Sequence, residues 1–133
     1  MSDLLYVGWG TSGGAGALRD AVERARSANH GLVYLAVLDG RFADIDGGLL
    51  DAIEHELVWL ADAQLRLVRQ ELAAMSVDTR VVVRRGNVLD AVARVSGEVD
   101  VAGILVAAPL PVDGRMVRRL ADVTDLPITV LET

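Results

Sequence analysis

Apolar positions along this chain follow two alternating rhythms. Leu4-Leu5-Tyr6-Val7 is an unbroken apolar run that gives way to a glycine-rich stretch, Gly8 to Gly16. That pairing predicts a buried strand and a tight turn. Leu18, Ala21, Val22 and Ala25 then recur at helical spacing, and Asn29-His30-Gly31 closes the helix, with Gly31 as the expected stop. Leu32 to Leu38 is a second continuous run, of the kind a parallel sheet covered on both faces requires. A polar loop, Asp39 to Gly48, leads into the longest element, Leu49 to Met75. There Leu50, Ile53, Leu57, Leu60, Gln64, Val68, Leu72 and Met75 step by three or four and predict one apolar face.

The second half repeats the alternation. Thr79 to Arg84 predicts a strand, and its flanking arginines place it near a sheet edge. Gly86-Asn87 turns into a helix carrying Val88, Leu89, Val92 and Val95 on one face. Ile104 to Ala108 is a fourth strand, and Pro109 and Pro111 force an extended connection after it. Met116, Val117, Leu120 and Val123 mark a last helix, and Pro127-Ile128-Thr129-Val130-Leu131 a last strand. Five strands alternating with four helices predict an α/β fold: one domain over residues 1–133, an open, doubly wound, parallel five-stranded sheet. Ligands of such sheets sit at the C-terminal ends of the strands, where strand order reverses.

Composition narrows the chemistry. The chain has 133 residues, 52% of them hydrophobic, enough for one core without a metal or disulfide. With no cysteine, thiolate metal sites and cysteine nucleophiles are excluded. All thirteen basic residues are arginine, which removes every mechanism that needs lysine. A net charge of −6 argues against nonspecific nucleic-acid binding. Met1-Ser2-Asp3 lacks the basic start of an export signal and no apolar stretch is long enough for a membrane span, so the expected location is the cytoplasm.

Several motifs invite a functional reading. Gly8-Trp9-Gly10-Thr11-Ser12-Gly13 is a literal G-x-G-x-x-G between strand and helix, with Asp39 at the end of the second strand where a ribose-binding acid would stand. It raises an NAD- or FAD-type dinucleotide site, although the distance to Asp39 is long and such glycine patterns arise readily in turns. His55-Glu56 starts an H-E-x-x-H pattern that fails at Trp59. His55 is expected as a partly exposed helix residue, and His30 as a helix-end residue. Asp44-Ile45-Asp46-Gly47 falls in the wrong register for a calcium loop, and these acids instead suit the start of a helix. A phospho-receiver site would need a lysine, and a serine hydrolase would need a G-x-S-x-G elbow. No constellation supports acid–base or nucleophilic catalysis, so no enzyme activity is expected.

Three stretches together resemble the universal stress protein family over nearly the whole chain. Gly10-Thr11 leading to Ala17-Leu18 and Ala21 is similar to the family's opening loop and helix. Val83-Arg84-Arg85-Gly86-Asn87-Val88-Leu89-Asp90-Ala91-Val92 resembles its third strand, glycine turn and helix. Gly114 and Pro127, thirteen residues apart, match the spacing between the family's last helix and its last strand. The resemblance implies strand order 3-2-1-4-5 and a regulatory or protective role without catalysis.

It also implies where this chain departs. In ATP-binding members a glycine loop after the fourth strand wraps the phosphates. Here Ala108 stands at the first glycine, Pro111 at the second, and Gly114 follows after only two more residues, with Arg115 in place of a hydroxyl residue. Trp9 replaces the aspartate that holds the nucleoside. The expectation is therefore no standard ATP site and no cofactor, with the Trp9 indole filling the nucleoside space. The alternative is an adenine-nucleotide switch (ATP, AMP or cyclic AMP) in a cleft made by Gly8, Trp9, Gly10, Thr11, Asp39, Ala108, Gly114 and Arg115. In the expected strand order the last strand is an uncovered edge. A homodimer pairing through Pro127, Ile128, Thr129, Val130 and Leu131 is the expected partner arrangement, and it matches what the resemblance implies.

Overall fold

The computed structural model describes residues 2–8, 14–38, 44–107 and 114–131. The chain alternates β1 (Asp3–Gly8), α1 (Gly14–Ser27), β2 (Gly31–Leu38), α2 (Gly47–Glu71), β3 (Thr79–Arg85), α3 (Val88–Glu98), β4 (Val101–Ala107), α4 (Gly114–Thr124) and β5 (Ile128–Leu131). All pairings are parallel and the order is β3-β2-β1-β4-β5. The continuous apolar runs are explained by burial on both faces: every residue of β2 is buried.

Alternation along the strands divides the core in two. Tyr6, Leu32, Tyr34, Leu105 and Leu131 meet α1 and α2 through Ala17, Ala21, Leu65 and Val68. Leu5, Val7, Val33, Leu35, Ile104 and Val106 meet α3 and α4 through Val88, Val92, Val95 and Leu120. Each such aliphatic side chain taken out of water contributes about 1.5–3 kcal/mol against the entropy of ordering the chain. Among the described residues no helix is long and apolar enough to cross a membrane.

The boundaries correct four expectations. Gly31 does not stop α1. Asn29, at φ 58°, takes the left-handed position, and the His30 amide reaches back to the Ala25 carbonyl at 2.8 Å. Gly31 instead opens β2, where a Cβ would collide with the Asp3 carboxylate. His30 turns its Nδ1 to the Ser2 carbonyl at 2.9 Å, so that nitrogen carries the proton and ties the chain's start to the end of α1.

Helix α2 begins at Gly47 rather than Leu49. The Asp46 carboxylate accepts from the Gly48 and Leu49 amides at 3.1 and 3.3 Å, the role the loop acids suggested. The helix also ends at Glu71, short of Met75. Ala73 turns left-handed at φ 52°, and the Ala74 amide bonds the Arg69 carbonyl at 2.7 Å.

The buried line of α2 differs as well. It comprises Leu50, Ala61, Leu65 and Val68, while Leu60, Gln64 and Met75 are exposed. From Leu57 both Leu60 and Ala61 are apolar, so a step of three and a step of four are equally open to the pattern. Contact with the sheet selects the step of four. Finally, β4 starts at Val101, three residues before Ile104, because Asp3 and Leu4 of β1 pair with Val101 and Gly103. At the start of α3, Gly86 takes φ +116° and Asn87 caps the Leu89 amide at 2.8 Å, which accounts for the Gly-Asn pair.

Candidate functional site

The expected crevice lies between β1 and β4, where the chain leaves β1 for β2 on one side and returns through β4 on the other. The N-termini of α1 at Gly14 and of α4 at Gly114 open at this end of the sheet, on opposite faces. Of the residues assigned to the cleft, Gly8 ends β1, Gly114 begins α4, and Arg115 is exposed on the first turn of α4. Trp9, Gly10, Thr11, Asp39 and Ala108 lie outside the described residues, as do Ser12, Gly13 and the prolines at 109 and 111.

Gly8 is glycine for a reason the motif does not contain. A Cβ there would lie 2.7 Å from the Tyr34 hydroxyl and 2.8 Å from two atoms of its ring. The phenol of Tyr34 runs up beneath the end of β1 and occupies the space a side chain would need. The first glycine of the G-x-G-x-x-G is thus explained by packing rather than by a pyrophosphate.

Tyr34 and its register partner Tyr6 form a pair with ring centroids 5.0 Å apart and planes inclined by 52°. Burial pushes the Tyr6 phenol well above the usual tyrosine range, and the neighbouring Tyr34 adds to it; burial raises Tyr34 as well. Phenols raised in this way carry no charge near neutrality. Sequence reasoning passed over both because each sits inside an apolar run. The available signal was their shared position on one face of adjacent strands.

Arg115 is not alone. Arg118 and Arg119 are also exposed, so three guanidinium groups crowd the first two turns of α4. No acid stands in that first turn. Positive charge at a helix N-terminus opposes the helix dipole, so this end of α4 favours a nearby anion. The i, i+3, i+4 spacing was visible in the sequence, which drew attention only to Arg115.

Away from this crevice a groove of about 450 Å³ opens at the opposite, N-terminal end of the strands. Its floor is Leu4 and Gly103, its walls Glu23 and Arg24 of α1 with Pro127 and Thr129. A Cβ at Gly103 would sit in ordinary contact with Pro127 and Leu4, at 3.5–3.7 Å. The groove contains none of the cleft residues.

No family profile matches the chain, and no curated protein matches it. Solved structures do. A universal stress protein family member from Burkholderia pseudomallei is 24% identical, covers 98% of this chain and 95% of its own, and superposes with a TM-score of 0.69. The universal stress protein from Archaeoglobus fulgidus, solved in complex with dAMP, is 16% identical with 98% of each chain covered and a TM-score of 0.68. A universal stress protein in complex with cAMP is 16% identical, with 100% and 99% covered and a TM-score of 0.65. With the order β3-β2-β1-β4-β5 and four crossover helices on the page, these likenesses establish that the chain carries the universal stress protein fold.

Proposed function

We propose that this chain is a divergent universal stress protein: a non-catalytic regulatory or protective cytoplasmic protein that pairs through β5 and lacks the standard ATP site. The observation that carries the reading is the connection from β4 to α4. Only residues 108–113 separate Ala107 from Gly114, and they include Pro109 and Pro111. A phosphate-wrapping loop works by presenting successive backbone N–H groups, and proline has none. The β5 edge supports the pairing, since among the described residues β5 bonds only to β4. Calorimetry with magnesium and ATP is expected to show no binding tighter than about 10 μM, roughly −7 kcal/mol. A lower dissociation constant sinks the reading.

The arginines of α4 favour a second reading, an adenine mononucleotide switch. A monophosphate needs fewer amides than a triphosphate, and the solved complexes with dAMP and cAMP have this fold. Thermal shift with AMP, cyclic AMP and NAD separates the readings. A concentration-dependent rise with AMP or cyclic AMP supports the switch, and a rise with NAD alone restores the dinucleotide site.

A further inference from the structure

Helix α2 has a second apolar face that the fold does not use. Beside the buried line, Leu49, Ile53, Glu56, Leu60, Ala63, Leu67 and Gln70 follow one another in steps of four and three, the repeat of a coiled-coil seam. Leu49, Leu60 and Leu67 on this seam are 57%, 45% and 59% exposed. Trp59 flanks it and is 69% exposed. Together they leave on the order of 500 Å² of side-chain surface in water, in the upper part of the roughly 300–600 Å² of a monomer's largest apolar patch, a feature that is often functional. A standard interface of roughly 800 Å² per partner, a little over half of it apolar, needs about this much.

The arrangement along the helix indicates what covers it. Trp59 is the midpoint of Gly47–Glu71. Asp51 and Glu54 are held by Arg85, Arg69 by the Val77 carbonyl and Glu71 by Arg19, so the charges left to the open side are Glu56 before Trp59 and Arg66, with Asp62, after it. Turning a second α2 antiparallel about Trp59 opposes the two helix dipoles and sets the part bearing Glu56 against the part bearing Arg66. It also brings Leu49 and Ile53 of one copy against Leu67 of the other, and Glu56 within one turn of the opposite Arg66. A tryptophan beside the seam at its midpoint suits the role of an interface anchor.

We propose that this face of α2 seats the same face of a second copy, antiparallel, about a two-fold axis at Trp59. The contact lies on α2 and is independent of the pairing through β5, the strand at the far edge from β3, on which α2 packs. Two isologous contacts on one subunit build assemblies larger than a dimer.

Sedimentation of the full chain tests this with Trp59→Glu and Leu60→Glu together, in the wild-type background and beside Val130→Pro. The α2 substitutions are expected to halve the assembly mass in either background while far-UV circular dichroism stays unchanged. An unchanged mass in both overturns the proposal without touching the β5 reading, which the Val130→Pro result alone decides. Because the chain has no cysteine, a second arm needs no background removal. Ala52→Cys with Arg66→Cys places two thiols equidistant from residue 59, about 21 Å apart along one helix. A short bismaleimide is expected to link them only between chains, with neither single variant linking. Absence of an interchain product, or linking by either single variant, overturns the register.

Discussion

The two edges of the sheet are built differently. β3 presents arginines at 80, 84 and 85. Arg84 reaches Glu98 of α3 at 2.9 Å, and Arg85 spans Asp51 at 2.6 Å and Glu54 at 2.5 Å on α2. The strand is thus tied to a helix on each face of the sheet, with charge along its open side. β5 has four residues, none charged, and Val130 is 44% exposed. A free strand edge is a row of unpaired donors and acceptors, and charge is one of the few devices that keep it single. One edge carries that device and the other does not.

The largest expected effect breaks this comparison with proline. Along a strand successive amides alternate in direction. The Pro127 carbonyl accepts from Ile104, so the amides of Ile128 and Val130 turn outward. The Asp78 carbonyl accepts from Leu32, so on β3 the odd positions, Val81 and Val83, turn outward. Val130→Pro and Val83→Pro therefore each remove an outward donor without breaking a ladder bond inside the chain. Light scattering is expected to show a twofold fall in mass for Val130→Pro and none for Val83→Pro. Equal behaviour of the two variants means that the edges are not distinguished in the way the arginines suggest.

How far the sequence announced these edges depends on the residue. The arginines of β3 were legible as an edge signal, and the five apolar runs gave the element order. Continuous rather than alternating runs pointed to a parallel sheet. The turn at Asn29 and the inward step to Ala61 were not legible. In each case two neighbouring residues satisfied the local pattern equally, and only tertiary contact selected one. The cleft was the least legible part. Gly8 matched a nucleotide motif, yet its cause is Tyr34, 26 positions away in sequence and adjacent only once β1 and β2 pair. Glycine motifs record where a side chain is forbidden, and say nothing of whether a ligand or the protein itself forbids it.

Between the edges the sheet is sealed, and alkali sharpens the contrast. Tyr6 and Tyr34 are the only tyrosines, so tyrosinate absorbance reports the interior alone. Both phenols are raised in the folded state, so above about pH 10 the unfolded chain holds fewer protons than the folded one. Stability is then full below pH 10 and lost as pH rises toward the folded values, by about 1.4 kcal/mol per pH unit for each phenol. Tyrosinate absorbance is expected to appear only with cooperative unfolding, both phenols together. A phenol titrating near pH 10 with circular dichroism intact would show that the interior under Gly8 is open to water. Val130→Pro, which acts at the edge, should leave this transition in place.

The smallest expected effect concerns the charge that closes β3. Arg85 joins the strand to α2 through two carboxylates, and its hydrogen bonds to Glu54 and then Asp51 raise its already high basicity. The guanidinium is solvent-exposed, so the pair is worth little in stability and is weakened by salt. Arg85→Ala is expected to lower the melting temperature slightly at low ionic strength, with the difference vanishing at high salt. Its effect on association is the more telling quantity. If charge is what keeps β3 single, Arg85→Ala alone should not create a new oligomer, because Arg80 and Arg84 still line the edge. Replacing all three arginines removes the charge altogether and leaves Val81, Val82 and Val83 flanked by alanines. Sedimentation should then show self-association that the single variant lacks. If the triple variant keeps the wild-type mass, α2 protects β3 by cover alone, and the contrast between the two edges is one of burial rather than charge.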